Sequence, residues 1–184
     1  ARRSVREEAV ERAQVKLDNT ILQIDKGLGE VEIVVKNMSW LVADKLDYPD
    51  YMYALTQQIL RSNPHVVGSA IAFEPGYYPE KGVLYSPYSY RTEKGIRSKQ
   101  LGSEDYEYHY MDWYLVPKLL GKPYWSEPYF DEGGADMVMT TYSLPLYDSD
   151  GNMYAVFTAD ISLEWFADKV NNIKPYTNSY NYMI

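Results

Sequence analysis

A run of apolar residues spaced alternately four and three apart dominates the first quarter of the chain: Val10, Gln14, Leu17, Ile21, Ile24, Leu28, Val31, Val35, Met38 and Val42. Such a seam fits only a long helix, because residues so spaced fall on one stripe of a 3.6-residue turn. Gln14 is its one polar member, and Gly27 and Gly29 each weaken a helix interior by about 1 kcal/mol relative to alanine. A local bend or break is therefore expected at those glycines. The stripe either packs on the chain's own sheet or pairs with a second copy, and a homodimer through this helix is the expectation.

After Tyr48, Pro49 and Asp50 a second helix is expected over Tyr51 to Arg61, stopped by Ser62, Asn63 and Pro64. The pattern then changes to short strands: Val66 to Phe73, Val83 to Tyr90, Tyr124 to Phe130, Met137 to Tyr147 and Met153 to Ile161. Asp148 to Gly151 reads as a hairpin turn, a helix is expected from Asp112 to Gly121, and a last one from Leu163 to Val170. The fold class is α+β: a five-stranded antiparallel sheet flanked by helices and preceded by a long N-terminal helix. The divisions expected are the long helix (1–47), one sheet module (48–170), and a linker with the start of a further module (171–184).

Composition narrows function by exclusion. A net charge of -8 argues against nucleic acid, which needs clustered Lys and Arg to release counterions. No cysteine is present and only His65 and His109 could offer imidazole, which removes thiolate chemistry and His-rich metal clusters. No cofactor, no metal and no catalytic residue is expected. No stretch reaches the roughly 20 apolar residues of a membrane span.

Aromatic residues make up 15% of the chain, 20 of them tyrosines, and they interleave with carboxylates in Asp105-Tyr106-Glu107-Tyr108-His109-Tyr110-Met111-Asp112-Trp113-Tyr114 and in Tyr124-Trp125-Ser126-Glu127-Pro128-Tyr129-Phe130-Asp131. Ring faces and fixed carboxylates together form a box for a small cation. The alternative is that Trp113, Tyr114 and Trp125 are core residues and the carboxylates a solvated rim. Asp160 is more telling, since it lies in an apolar strand between Ala159 and Ile161, where a lone carboxylate is costly to bury. It needs a partner, internal or bound.

Asp112-Trp113-Tyr114, the segment Tyr124 to Asp131, and Asp150-Gly151-Asn152-Met153-Tyr154-Ala155-Val156-Phe157-Thr158-Ala159-Asp160-Ile161-Ser162-Leu163 resemble, in order and spacing, the extracytoplasmic double-Cache (PAS-like, PDC) sensor domains of bacterial membrane receptors. The resemblance implies a PAS-like module, a periplasmic or extracellular position, membrane anchoring of the full-length protein, and a small-molecule ligand. Within it, Lys174 to Ile184 resembles the first strand of the family's second module. A histidine kinase is the expected output.

In amino-acid-sensing members of that family a tyrosine, an arginine, a Trp-Tyr pair, a Tyr-x-Asp and a late aspartate surround the ligand. By this resemblance Tyr106, Trp113, Tyr114, Tyr129, Asp131 and Asp160 are the ligand-binding candidates, while Met111 stands where the arginine would clamp an α-carboxylate. The ligand expected is therefore amine-bearing rather than an ordinary amino acid. Arg91 could replace the clamp only by pointing inward. Two other functions compete: a ligand-free structural or dimerisation module, and a carboxylate-dependent hydrolase using an acid pair.

Overall fold

The computed structural model describes residues 2–132 and 135–171. Helix α1 (Arg2–Asp44) is followed by α2 (Met52–Ser62), β1 (Val66–Phe73), β2 (Pro87–Thr92), β3 (Gly95–Gln100), α3 (Asp112–Leu120), β4 (Tyr124–Trp125), β5 (Tyr129–Phe130), β6 (Val138–Tyr147), β7 (Met153–Ser162) and α4 (Leu163–Asn171). The linker and second-module strand expected over 171–184 lie, from 172 on, outside the described residues. The chain divides into two compact units, Ala1–Glu30 with Glu164–Ile184, and Val31–Leu163.

In the first unit α1 carries no break at Gly27 or Gly29, contrary to the sequence expectation. Gly27 serves packing instead: a Cβ there would stand 2.5 Å from Cη2 of Trp165 on α4, so the missing side chain is the seat of an indole ring. Trp165 in turn packs edge-on against Phe166 at 4.9 Å between centroids.

The second unit is built on one antiparallel sheet in the order β3-β2-β1-β7-β6-β4, with β5 also pairing to β6. A strand is present at each of the five expected places, but the one expected over Val83 to Tyr90 begins only at Pro87 and runs on to Thr92, and two further differences stand out. The expected strand Tyr124–Phe130 is cut into β4 and β5 at Ser126-Glu127-Pro128, where proline cannot donate to the ladder. The second difference is β3, an edge strand pairing β2 from Pro87↔Gln100 to Thr92↔Gly95. It escapes an alternation search because Ile96 is its sole apolar residue and most of its side chains are exposed.

Strand alternation sorts the sheet's side chains onto two faces. Phe73, Phe157 and Ile161 are fully buried, and on their side α2 contributes the bond between Thr56 Oγ1 and Ser89 Oγ at 2.8 Å. The α1 residues Val31, Val35 and Val42 are buried too, whereas Val10, Leu17 and Ile21, earlier in the same stripe, are 63%, 45% and 48% exposed. The other face presents Gly68, Ala70 and Ala72 of β1, Tyr88 of β2, Thr158 and Asp160 of β7, and Thr141 of β6, aligned by the pairs Gly68↔Asp160, Ala70↔Tyr88 and Thr141↔Asp160. The β1–β7 register slips between Val66 and Gly68, a bulge of the kind that re-aims side chains near a site.

Candidate functional site

The segment 105–114 lies over this second face because Tyr108 anchors it. Tyr108 is fully buried, its hydroxyl donates to the Phe73 carbonyl at 2.6 Å, and it accepts from the Tyr85 N–H at 3.1 Å. Tyr108, Trp113 and Tyr114 then pack with Ala72 and Val156 into one apolar cluster. Asp112 opens α3, where the helix dipole favours a negative charge, and Gly121, at φ 64°, closes it in the left-handed conformation.

Two adjoining cavities result. The inner one is lined by Ala70, Tyr88, Leu101, Tyr106, Trp113, Tyr129, Asp131, Thr158 and Asp160, and its volume of about 10 Å³ suits one water-sized group. The outer one, about 620 Å³, is within the range of small-molecule sites; it shares Tyr106, Trp113, Tyr129 and Asp131 with the inner cavity and adds Asp105, Met111, Asp112, Glu127 and Glu132 among its walls. No lysine, arginine or histidine lines either one.

Asp160 is the floor of the inner cavity. It is 4% exposed and accepts one hydrogen bond, from Thr141 Oγ1 at 2.8 Å. Thr141 has a single hydroxyl proton, so the 2.7 Å contact between Tyr129 and Thr141 must run as a donation from the tyrosine. Asp131 accepts from the Ala135 N–H at 2.7 Å and from the Tyr88 hydroxyl at 3.3 Å. Trp113 Nε1 donates to the Tyr106 hydroxyl at 3.4 Å. Gly68 makes room for this group: a Cβ on it would come within 2.3 Å of Asp160 Oδ2 and 2.6 Å of the Tyr88 hydroxyl.

Burial pushes the Asp160 carboxyl up to about 7, and the charge of Asp131 adds to the effect. Burial also raises Asp131, against the pull of its hydrogen bonds and of Lys99. The hydroxyls of Tyr88 and Tyr129 are raised by burial and then by the carboxylates, so they stay protonated donors. The site thus presents two carboxylates, tyrosine hydroxyls and ring faces with no resident positive charge in its walls.

Of the six sequence candidates, Tyr106, Trp113, Tyr129, Asp131 and Asp160 meet at the inner cavity. Tyr114 does not: it is fully buried in the core, and its hydroxyl donates to Glu74 Oε1 at 2.5 Å, a carboxylate also held by Lys118 at 2.7 Å. The helical turn that aims Trp113 at the cavity necessarily aims its neighbour elsewhere. Arg91 is also settled, since its guanidinium is spent on the carbonyls of Leu60, Val66 and Asn63 at the end of α2. Sequence reading misses Gly68, Tyr88 and Thr141. A glycine inside a strand was the available signal for a close approach at Gly68, whereas nothing local marks the other two.

An antiparallel sheet bearing a ligand-sized cleft on one face is the architecture of a small-molecule sensor module, and the comparisons with known proteins place it among the extracytoplasmic sensor domains of membrane receptors. Residues 52–168 match the family described as methyl-accepting chemotaxis protein-like, first PDC sensor domain, and the chain belongs to that family. It is 30% identical to the methyl-accepting chemotaxis protein TlpQ of Pseudomonas aeruginosa, a match covering 64% of this chain and 20% of that protein. The extracellular domain of the histidine kinase soHK1S-Z6 is 26% identical and superposes with a TM-score of 0.78 over 90% of this chain and 64% of its own. The ligand-binding domain of the Campylobacter jejuni chemoreceptor Tlp3, in complex with L-valine, is 15% identical with a TM-score of 0.67, covering 93% of this chain and 64% of its own. That last likeness concerns the fold alone. The chain therefore spans one fifth of the curated relative and less than two thirds of either solved domain.

Proposed function

We propose that this sensor domain binds a small amine-bearing molecule in the cavity between segment 105–114 and the sheet, and passes the signal on through its helices. The observation that carries the reading is the pair of buried carboxylates, Asp131 and Asp160, in a cavity with no cation in its walls. An ammonium group fits the inner chamber in size and supplies the missing charge, with ring faces of Tyr106, Trp113 and Tyr129 beside it. With Met111 in the outer wall and Arg91 engaged elsewhere, nothing lining the site clamps an α-carboxylate. This distinguishes the ligand from the valine named for Tlp3.

A route outward from the site supports signalling through α1. Thr141, bonded to Asp160, donates its N–H to the Ser126 hydroxyl oxygen, and the adjoining Trp125 donates to Glu32 of α1 at 3.0 Å. A ligand that reorders Asp160 acts on this chain of bonds, and it signals to the extent that it binds two arrangements of the chain unequally. The exposed Val10, Leu17 and Ile21 support pairing of α1 with a second copy, a reading checked by sedimentation equilibrium: a monomer at all concentrations would dismiss it. A histidine kinase and a chemoreceptor signalling domain are the two outputs that fit, the first by the likeness to soHK1S-Z6 and the second by that to TlpQ.

Thermal-shift screening of amines, amino acids and organic acids tests the ligand reading. Amines should raise the melting temperature and Asp160→Asn should abolish the rise. A rise with carboxylates alone would reject an amine, and silence across the panel would favour a ligand-free structural module.

A further inference from the structure

We infer that the outer edge of the sheet, strand β3 with the hairpin that joins it to β2, takes up an extended acidic segment of a partner protein as an added strand. Its cations, Lys94 and Arg97, line neither chamber of the amine cavity, so the inference stands apart from what that cavity binds.

Among the described residues β3 pairs with β2 alone, in an unbroken register from Pro87↔Gln100 to Thr92↔Gly95. In an antiparallel pair alternate N–H and C=O groups point away from the partner, so the outer side of β3 is a row of open donors and acceptors. The hairpin holds this row in shape. Thr92 Oγ1 donates to the Gly95 carbonyl at 2.8 Å and accepts from the Lys94 N–H at 3.2 Å, while Gly95 takes a φ of 108°. At the far side of the sheet β4 and β5 have two residues each, so a second copy offers no described edge to match β3 except β3 itself. That pairing would set like charges side by side.

Charge is the second, independent observation. The chain carries a net -8, yet residues 91–99 hold Arg91, Lys94, Arg97 and Lys99 against Glu93 alone. Arg91 is spent on the carbonyls at the end of α2, and Lys99 is seated over the stacked rings of Tyr88 and Tyr90, 5.9 and 5.3 Å from their centroids. Lys94 and Arg97 instead share an open hollow of about 510 Å³ with Tyr90, and they make no ion pair and no side-chain hydrogen bond among the described residues. By contrast Arg12 stands beside Glu8, Lys36 beside Glu32, Lys81 beside Asp50 and Lys118 beside Glu74. Strand alternation puts Arg97 on the face of Tyr90 and turns Ile96 and Ser98 to the other face, where Gln57 of α2 donates to Ser98 Oγ at 3.0 Å. The complementary partner is therefore an extended segment with an acid at every second position, laid beside Arg97 and Lys94, and with apolar residues between them on the side of Ile96.

Fluorescence anisotropy of a labelled Glu-Val-Glu-Val-Glu-Val peptide, titrated with the chain at fixed ionic strength, tests this. The net charge of the chain opposes an acidic peptide, so binding reports a local surface. The peptide should bind about threefold or more tighter than Gln-Val-Gln-Val-Gln-Val, which lacks the acids, and than Glu-Pro-Glu-Pro-Glu-Pro, whose prolines cannot add to a ladder. The double variant Lys94→Glu, Arg97→Glu should lose the preference for the acidic peptide, and Arg97→Gln alone should reduce it; both side chains are exposed, so the fold and its melting temperature should be kept. Equal binding of the proline peptide would mean attraction by charge alone and overturns strand addition. A preference unchanged in the double variant overturns the place assigned to it. No binding of the acidic peptide also overturns the proposal and leaves Lys94 and Arg97 as guards against strand pairing. Binding to phosphatidylglycerol vesicles, lost in the double variant and without any binding of the peptide, would overturn it in favour of a membrane surface.

Discussion

Replacing Asp160 by asparagine should stabilise the unliganded domain at neutral pH and flatten its pH dependence. An aspartate that titrates near 3.8 when unfolded and is pushed up to about 7 in the fold favours the folded state only while protonated. Its contribution is therefore fully present below 3.8 and is lost progressively until the pH passes about 7. A difference of 7 minus 3.8, at about 1.4 kcal/mol per unit, amounts to about 4 kcal/mol at full ionisation. Between pH 5 and pH 8 the same two values give a loss of about 2.5 kcal/mol in the native protein. The asparagine side chain retains an oxygen to accept from Thr141 and carries no charge, so that loss should vanish. Urea unfolding of both proteins across this range measures it, with the difference of the two curves isolating residue 160. Parallel curves would refute the reasoning, because they would mean that Asp160 is ionised in the fold at no cost, through a partner inside the protein. In the native protein amine affinity should rise with pH up to about 7, as Asp160 ionises.

Gly68→Ala should abolish amine binding and destabilise the domain by about 1–3 kcal/mol, since the added methyl meets Asp160 and Tyr88 in a packed site; unaltered titration heats would contradict this. Arg91→Ala should cost about 1–3 kcal/mol in urea unfolding by leaving the carbonyls of Leu60, Val66 and Asn63 without their donor, with amine affinity unchanged at equal folding. A loss of affinity in the folded variant would instead put Arg91 in contact with ligand. Gly27→Ala should lower the melting temperature although alanine is the better helix former, because its Cβ lies 2.5 Å from Trp165 Cη2. A rise of the melting temperature would mean that the indole moves aside freely.

The heptad from Val10 to Val42 and the alternating strands were legible because each is a local periodicity. The acidic and aromatic content of segment 105–131 was legible for the same reason. What failed was whatever depends on a distant neighbour. Gly27 reads as a helix breaker until Trp165 is placed against it. Strand β3, with the lone apolar Ile96, is held by its ladder to β2 rather than by a buried face. Tyr114 differs from Trp113 only in the direction its turn of helix gives it, toward Glu74 instead of the cavity.

The sequence by itself determined a long helix, an α+β module and a concentration of carboxylates and rings, because composition and period are properties of the chain alone. It also marked Asp160 as a carboxylate in need of a partner. Only the tertiary structure decided that Asp131 and Asp160 face the same small chamber, that Gly68 opens it, that Thr141 and Tyr88 supply its donors and that Arg91 stays outside. Those facts depend on strand register, and a shift of one residue would turn Asp160 from the cavity to the opposite face of the sheet.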